Sequence, residues 1–252
     1  MEFVRIADIK RLNFITDALK SSLPAGAEVL DVGCGNGVIS RSLGELGFKV
    51  RGIDISQKTI EKANSLNTFP NVRFEVRSAE QLIADGSSYH AIICSEVLEH
   101  LQEPGKLLIV LNQILHKDGV LIVTVPNGRG PRELFVTRPV IALQKKNNWM
   151  WQMVKMIKKG FGYKGTTAQS DADDLTHIQF FTRTTLQQLA AKYHFRIIRF
   201  GKTNFIEDVF PFSFFTKRIK FLQKLDCAVA EKLPYSCTGG FVTVWNKINA
   251  LD

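Results

Sequence analysis

Glu28-Val29-Leu30-Asp31-Val32-Gly33-Cys34-Gly35-Asn36-Gly37 decides the fold. An apolar strand runs into three glycines spaced two apart, and a helical pattern follows directly. Glycine lacks a Cβ and tolerates positive φ, so the chain can turn sharply and let a ligand lie against bare backbone. Asp31 stands just before the turn. A strand, a glycine bend and a helix N-terminus together form a nucleotide-type site at the edge of an open α/β sheet. A dinucleotide fingerprint would read G-x-G-x-x-G and seat a diphosphate on the helix dipole. G-x-G-x-G with an acid upstream suits instead a ligand that carries a positive ammonium and sulfonium. A glycine turn with no ligand is the competing reading, so a second element is needed.

The next strand supplies it. Lys49-Val50-Arg51-Gly52-Ile53-Asp54-Ile55-Ser56 ends on an acid, with Ser56 placed to cap a helix that begins near Gln57. A ribose-binding acid is expected roughly 20 residues after the glycine turn. Asp54 stands near that distance, with Ile55 beside it.

Residues 28–56 resemble motifs one and two of the class I S-adenosylmethionine-dependent methyltransferases. Ser95-Glu96-Val97-Leu98-Glu99-His100-Leu101 is similar to their segment after strand four. His177-Ile178-Gln179-Phe180-Phe181-Thr182, a following helix and Phe195-Arg196-Ile197-Ile198 are similar to one subgroup. That subgroup holds the ubiquinone-biosynthesis O-methyltransferases and many methyltransferases of surface-glycan gene clusters. The resemblance implies S-adenosyl-L-methionine as cofactor. It places Asp31 and the Gly33, Cys34, Gly35 and Gly37 backbone against the methionine part, and Asp54 and Ile55 at the ribose. Ser78 and Ala79 fall at the adenine, and Cys94 beside the sulfonium. Ser78 departs from the Asp that the family often has there, and a hydroxyl accepts a hydrogen bond more weakly than a carboxylate.

Strand patterns fall over 28–32, 49–53, 72–76, 91–94, 120–125 and 195–200. Helical patterns fall over 8–22, 37–46, 57–66, 104–116 and 184–193. This alternation predicts a Rossmann-like, mostly parallel sheet with helices on both faces. By the family resemblance the sheet has seven strands, the last being residues 240–247, antiparallel between strands five and six. The chain then reads as one methyltransferase domain. Its core is 25–127 and 177–200 plus the closing strand, and it carries acceptor-side insertions over 128–176 and 203–236.

Glu96, Glu99 and His100 lie at i, i+3 and i+4, and on a helix they share a face. The chemistry at this point needs an acceptor held in line, water excluded and, for a hydroxyl, a proton removed. Three roles compete. The two acids cap and charge a helix N-terminus while His100 packs; or His100, with Glu96 as the second choice, takes the acceptor's proton; or a divalent metal sits on Glu96, Glu99, His100 and His177. The last resembles the small-RNA 2′-O-methyltransferases, which carry a similar Glu-x-x-Glu-His with a later His.

The net charge of +9 is local. Residues 138–164 hold Arg138, Lys145, Lys146, Lys155, Lys158, Lys159 and Lys164 with no acid, and elsewhere cations exceed acids by only 2. Residues 143–160 form a basic amphipathic pattern with Trp149, Met150 and Met153 on one side. Such a pattern suits a lid or contact with an anionic membrane surface. Phe210-Pro211-Phe212-Ser213-Phe214-Phe215-Thr216-Lys217-Arg218-Ile219-Lys220-Phe221 repeats the theme. The N-terminus lacks a signal pattern and no apolar run reaches the ~20 residues of a spanning helix. The four cysteines lack metal spacing. Together these predict a cytoplasmic protein with reduced thiols, in peripheral contact with a membrane through 138–164. The expected function is methylation of an oxygen on a small, glycan or lipid-linked acceptor. The alternatives are an RNA methyltransferase and a non-catalytic methyltransferase-like module.

Overall fold

The computed structural model describes residues 5–139, 177–207, 209, 212–216 and 219–248. Seven strands form one sheet: β1 (Glu28–Val32), β2 (Lys49–Asp54), β3 (Val72–Val76), β4 (Tyr89–Ser95), β5 (Leu115–Pro126), β6 (Phe195–Lys202) and β7 (Gly240–Lys247). Their order is β3-β2-β1-β4-β5-β7-β6. β1 to β5 pair in parallel, and β7 runs antiparallel to both of its neighbours. The strand order reverses between β1 and β4, so a crevice opens at the carboxyl ends of those two strands, where ligands of such sheets bind.

Alternation along the strands sorts side chains onto the two faces of the sheet. Leu30, Val32, Ile92, Cys94, Leu121 and Val123 join a core with α5 (Pro104–Ile114) and α6 (Arg183–Lys192). Val29, Ala91, Ile93, Val120 and Ile122 join the other with α1 (Ile6–Ser22), α2 (Val38–Glu45) and α3 (Gln57–Leu66). Strands covered on both sides read as nearly unbroken apolar runs, and β1, β4 and β5 do so. A short α4 (Glu80–Ala84) lies between β3 and β4. Trp245 of β7 is fully buried; its indole N–H donates to Thr243 Oγ1 at 2.6 Å, and that hydroxyl donates to Val123 O at 2.8 Å. A large aromatic is buried here with its polar atom satisfied.

The largest boundary difference from the sequence expectation lies between α5 and β5. α5 stops at Ile114 and β5 begins at Leu115, which pairs with Tyr89. The next registered pair is Ala91 with Val120, so residues 116–119 bulge opposite His90. A four-residue excursion of polar residues reads locally like a helix end, and only the pairing with Tyr89 makes it strand.

After Pro126 the chain leaves the sheet at Asn127. Its side-chain amide donates to Tyr235 O and Thr238 O, and its backbone N–H to Gly239 O. The link from β6 to β7 carries α7 (Phe212–Thr216) and α8 (Lys220–Lys232). α8 is tied to α1: Ile6 N donates to Gln223 Oε1, and Lys10 Nζ to Cys227 O. The basic amphipathic pattern over 143–160 lies outside the described residues, as do Phe210, Pro211, Lys217 and Arg218. Among the described residues, no helix is long and apolar enough to cross a membrane.

Candidate active site

Two clusters meet at the crevice. The first is the glycine bend. Gly33, Gly35 and Gly37 all have positive φ, at 66°, 55° and 79°. At Gly33 a Cβ would lie 2.6 Å from a Val97 methyl, and at Gly37 2.3 Å from the Phe74 ring. The bend thus needs glycine twice over, for its dihedrals and for its space. Gly33 is exposed while Gly35 and Gly37 are buried, so bare backbone faces the crevice at its mouth.

Asp54 holds the bend to β2. Its Oδ2 accepts from Gly35 N at 3.1 Å and its Oδ1 from Ser56 N at 2.9 Å. Ser56 in turn caps α3, accepting from Thr59 N at 3.3 Å. Asp54 is half-buried and Ile55 is 82% exposed, so both stand at the crevice rim. Asp31 lies below the bend and is buried, accepting from Ser40 Oγ of α2 at 2.6 Å. Burial, with the nearby Asp54 charge as a lesser cause, pushes its pKa up to about 7. Cys34, Cys94 and Ala79 are buried. Cys94, at the carboxyl end of β4, is fully buried. Burial raises both thiols far above their ordinary range, which makes them packing groups and not nucleophiles. Ser78 is half-buried, and its backbone N–H donates to Gln81 Oε1.

The second cluster follows β4. The sequence reading puts Glu96, Glu99 and His100 on one helical face, and the structure corrects this. The chain takes a left-handed step at Glu96 (φ 57°), and only Leu98–His100 form a single 3₁₀ turn. Glu96 therefore caps no helix. Its carboxylate accepts from Thr124 Oγ1 at 2.9 Å and pairs with Arg11 of α1 at 3.6 Å. With the Thr124 proton committed to Glu96, the 2.9 Å contact from Ser95 Oγ to Thr124 Oγ1 has Ser95 as donor.

Glu99 turns inward and is 1% exposed. Among the described residues neither of its oxygens has a hydrogen-bond partner, and His100 Nε2 stands 3.7 Å from Oε1. Burial first, and the Glu96 charge second, hold this carboxyl well above the usual carboxylate range. The Glu99 carbonyl accepts from Ile178 N and Gln179 N at 2.8 and 2.9 Å, which brings His177 alongside. The His100 and His177 rings lie 5.2 Å apart, and one ligand-type atom from each of Glu99, His100 and His177 falls within 4.8 Å of the others. Glu96, expected with them, is turned toward Thr124 and Arg11 instead.

Sequence reasoning missed Glu133. It sits on a single widened, π-helical turn (Glu133–Thr137), is 1% exposed, and its Oε1 lies 3.2 Å from His177 Nδ1. One signal was present: Glu133 is the only acid between Asp118 and Asp171, inside an otherwise basic stretch. Arg138 is engaged internally, donating to Gly128 O at 2.8 Å and stacking on Phe180. The other six cations of the 138–164 segment lie outside the described residues.

A carboxylate and two imidazoles converging beside a bare glycine bend can accept a proton or hold a divalent cation. The glycine bend, the acid at its rim and the open crevice also fit a nucleoside ligand with an aminoacyl tail. A family model described as a methyltransferase domain matches residues 6–199. The ubiquinone biosynthesis O-methyltransferase of Xanthomonas axonopodis pv. citri (strain 306) is 36% identical over 120 residues, covering 46% of this chain and 49% of that protein. The chain thus spans about half the length of the curated relatives it matches. The fold is similar to magnesium protoporphyrin IX methyltransferase from Synechocystis PCC 6803 with bound SAH: TM-score 0.55, 18% identity, covering 96% of this chain and 81% of that one. It is also similar to Burkholderia thailandensis 1,6-didemethyltoxoflavin-N1-methyltransferase: TM-score 0.58, 16% identity, covering 98% and 80%.

Proposed function

The chain belongs to the methyltransferase-domain family, and on that footing we propose that it transfers the methyl group of S-adenosylmethionine to an oxygen of a small hydroxylated acceptor. One observation carries the choice of oxygen: the buried Glu99 carboxyl and the His100 and His177 imidazoles converge next to the bend, joined to it by Val97 packed over Gly33. An amine acceptor needs less help in losing a proton; a hydroxyl needs a base at hand. When bound, the cofactor supplies a methyl on a sulfonium, whose leaving thioether departs neutral.

The chain's own residues divide the remaining work. The Gly33–Gly37 backbone and Asp31 hold the aminoacyl end, Asp54 accepts from the ribose hydroxyls with Ile55 beside it, and Ser78 and Ala79 flank the base. His100 accepts the acceptor's proton at a ring nitrogen, its Nε2 standing 3.7 Å from Glu99 Oε1. Glu96, which accepts from Thr124 Oγ1 and pairs with Arg11, holds the turn while His100 takes the proton.

A second reading of the same cluster is favoured by the 4.8 Å convergence of Glu99, His100 and His177. These three would hold a divalent cation, which supplies Lewis-acid polarisation of a bound hydroxyl. The Glu99 oxygens, which have no hydrogen-bond partner among the described residues, fit that role, since a buried carboxylate without a partner is costly until something positive meets it. Exposed Phe212, Ile219 and Phe221 beside exposed Lys220 and Lys224 support an amphiphilic acceptor taken at an anionic surface.

A radiolabelled-methyl assay on extract fractions tests the acceptor class: label in small molecules or lipid, released as a methyl ether, is expected. Label confined to RNA or protein overturns the proposal. Full turnover after EDTA leaves His100 as the base and removes the cation.

A further inference from the structure

The polar contact made by His177 is the one feature of this cluster that neither reading uses. Its Nδ1 lies 3.2 Å from Glu133 Oε1, and Glu133 is buried on the π-helical turn that begins with it. Among the described residues, Glu133 Oε2 has no hydrogen-bond partner, so this carboxylate has a single task there. An acid in such a place is expensive. It is also the lone acid of a basic stretch, so composition does not account for it. π-Helical turns are frequent at functional sites.

We propose that Glu133 is the positioning residue for His177 in the Glu99–His100–His177 cation site. Resting on that reading, its carboxylate accepts the Nδ1–H, which fixes the neutral tautomer with the lone pair on Nε2 and locks the ring plane. A metal-ligating imidazole usually donates its other N–H to a carboxylate in this way, and loss of that partner typically costs about 10–100-fold in metal affinity. The Ile178 and Gln179 N–H groups fix the height of His177 through the Glu99 carbonyl, and Glu133 fixes its rotation. The segment therefore carries two independent constraints on one ring.

The test uses the full chain, stripped with chelator and titrated with Co²⁺. Visible d–d absorption and calorimetry report binding, and ¹⁵N spectra of the histidine rings report the His177 tautomer. The wild type is expected to bind Co²⁺ and to show His177 protonated at Nδ1. E133Q keeps the shape and can still accept the proton, and loses about tenfold in affinity. E133A loses up to about 100-fold and mixes the tautomers. Wild-type binding with unchanged affinity in both variants overturns the role of Glu133 and leaves the cation reading intact. A wild type that does not bind Co²⁺ overturns the cation reading, and this inference with it. Should E133A fail to fold, E133Q alone still decides, since an unchanged affinity refutes and a tenfold loss with the Nδ1 tautomer retained supports.

Discussion

Replacing Asp31 with Asn tests the electrostatics of the glycine bend directly. The carboxyl is buried, and burial is the main reason its pKa rises from 3.8 to about 7. A raised pKa means that the folded chain holds the proton more tightly than the unfolded chain does. The resulting stability is fully present below about pH 4 and is lost as pH rises through about 7. That difference corresponds to about 4 kcal/mol in full, of which about 2.5 kcal/mol falls between pH 5 and pH 8. Asn has the shape of the protonated acid and nothing to titrate. Urea unfolding of wild type and D31N across pH 4–8 isolates this contribution, because every other group cancels in the difference. The two curves should converge at the acid end. The wild type should then fall below D31N by an amount growing to a few kcal/mol. Parallel curves would refute the reasoning, for they would mean that Asp31 ionises as easily in the fold as in the unfolded chain.

Binding follows the same group. If the Asp31 carboxylate faces the ligand ammonium, calorimetric affinity for S-adenosylhomocysteine falls as pH drops from 8 to 6 in the wild type, and is weaker and flat in D31N. Asp54→Ala removes the acceptor for Gly35 N and Ser56 N as well as the ribose contact. Hydrogen bonds to a charged group are worth about 1.5–3 kcal/mol, so titration should show at least about a tenfold loss of affinity. Gly37→Ala carries a left-handed penalty of about 1–2 kcal/mol and a clash with Phe74, so its urea midpoint should drop clearly while Gly26→Ala, which meets nothing nearby, shows only the dihedral cost. Co-sedimentation with anionic liposomes at low salt should retain the protein. Substituting Phe212 and Phe221 together with Ser should release it, and no binding by the wild type removes the membrane surface from the acceptor's route.

The core of the fold was legible because its signals are local. Apolar runs mark β1, β4 and β5, and three glycines at alternate positions with Asp54 downstream mark the bend. The place of β7 between β5 and β6 was reached through family resemblance, since nothing in Gly240–Lys247 names its neighbours. The Glu96–His100 turn was misread because spacing alone cannot distinguish an α-helix from a left-handed step followed by one 3₁₀ turn. Val97 packed over Gly33 and the Thr124–Glu96–Arg11 chain settle that conformation, and both are tertiary. Glu133 was invisible for the same reason. Its partner His177 is 44 residues away, and only the fold brings the two together.

The position of the closing strand constrains the order in which this chain can mature. During synthesis β5 and β6 emerge before β7, and each exposes a row of unpaired backbone donors and acceptors along the side β7 will fill. Such open edges invite pairing with other chains. Until Trp245 arrives to seal the space beside Phe195, the nascent sheet is a split structure with an aggregation-prone slot through its middle. Ribosome-stalled chains halted before residue 240 should therefore engage holding chaperones, and release should coincide with the emergence of the final eight residues of the sheet.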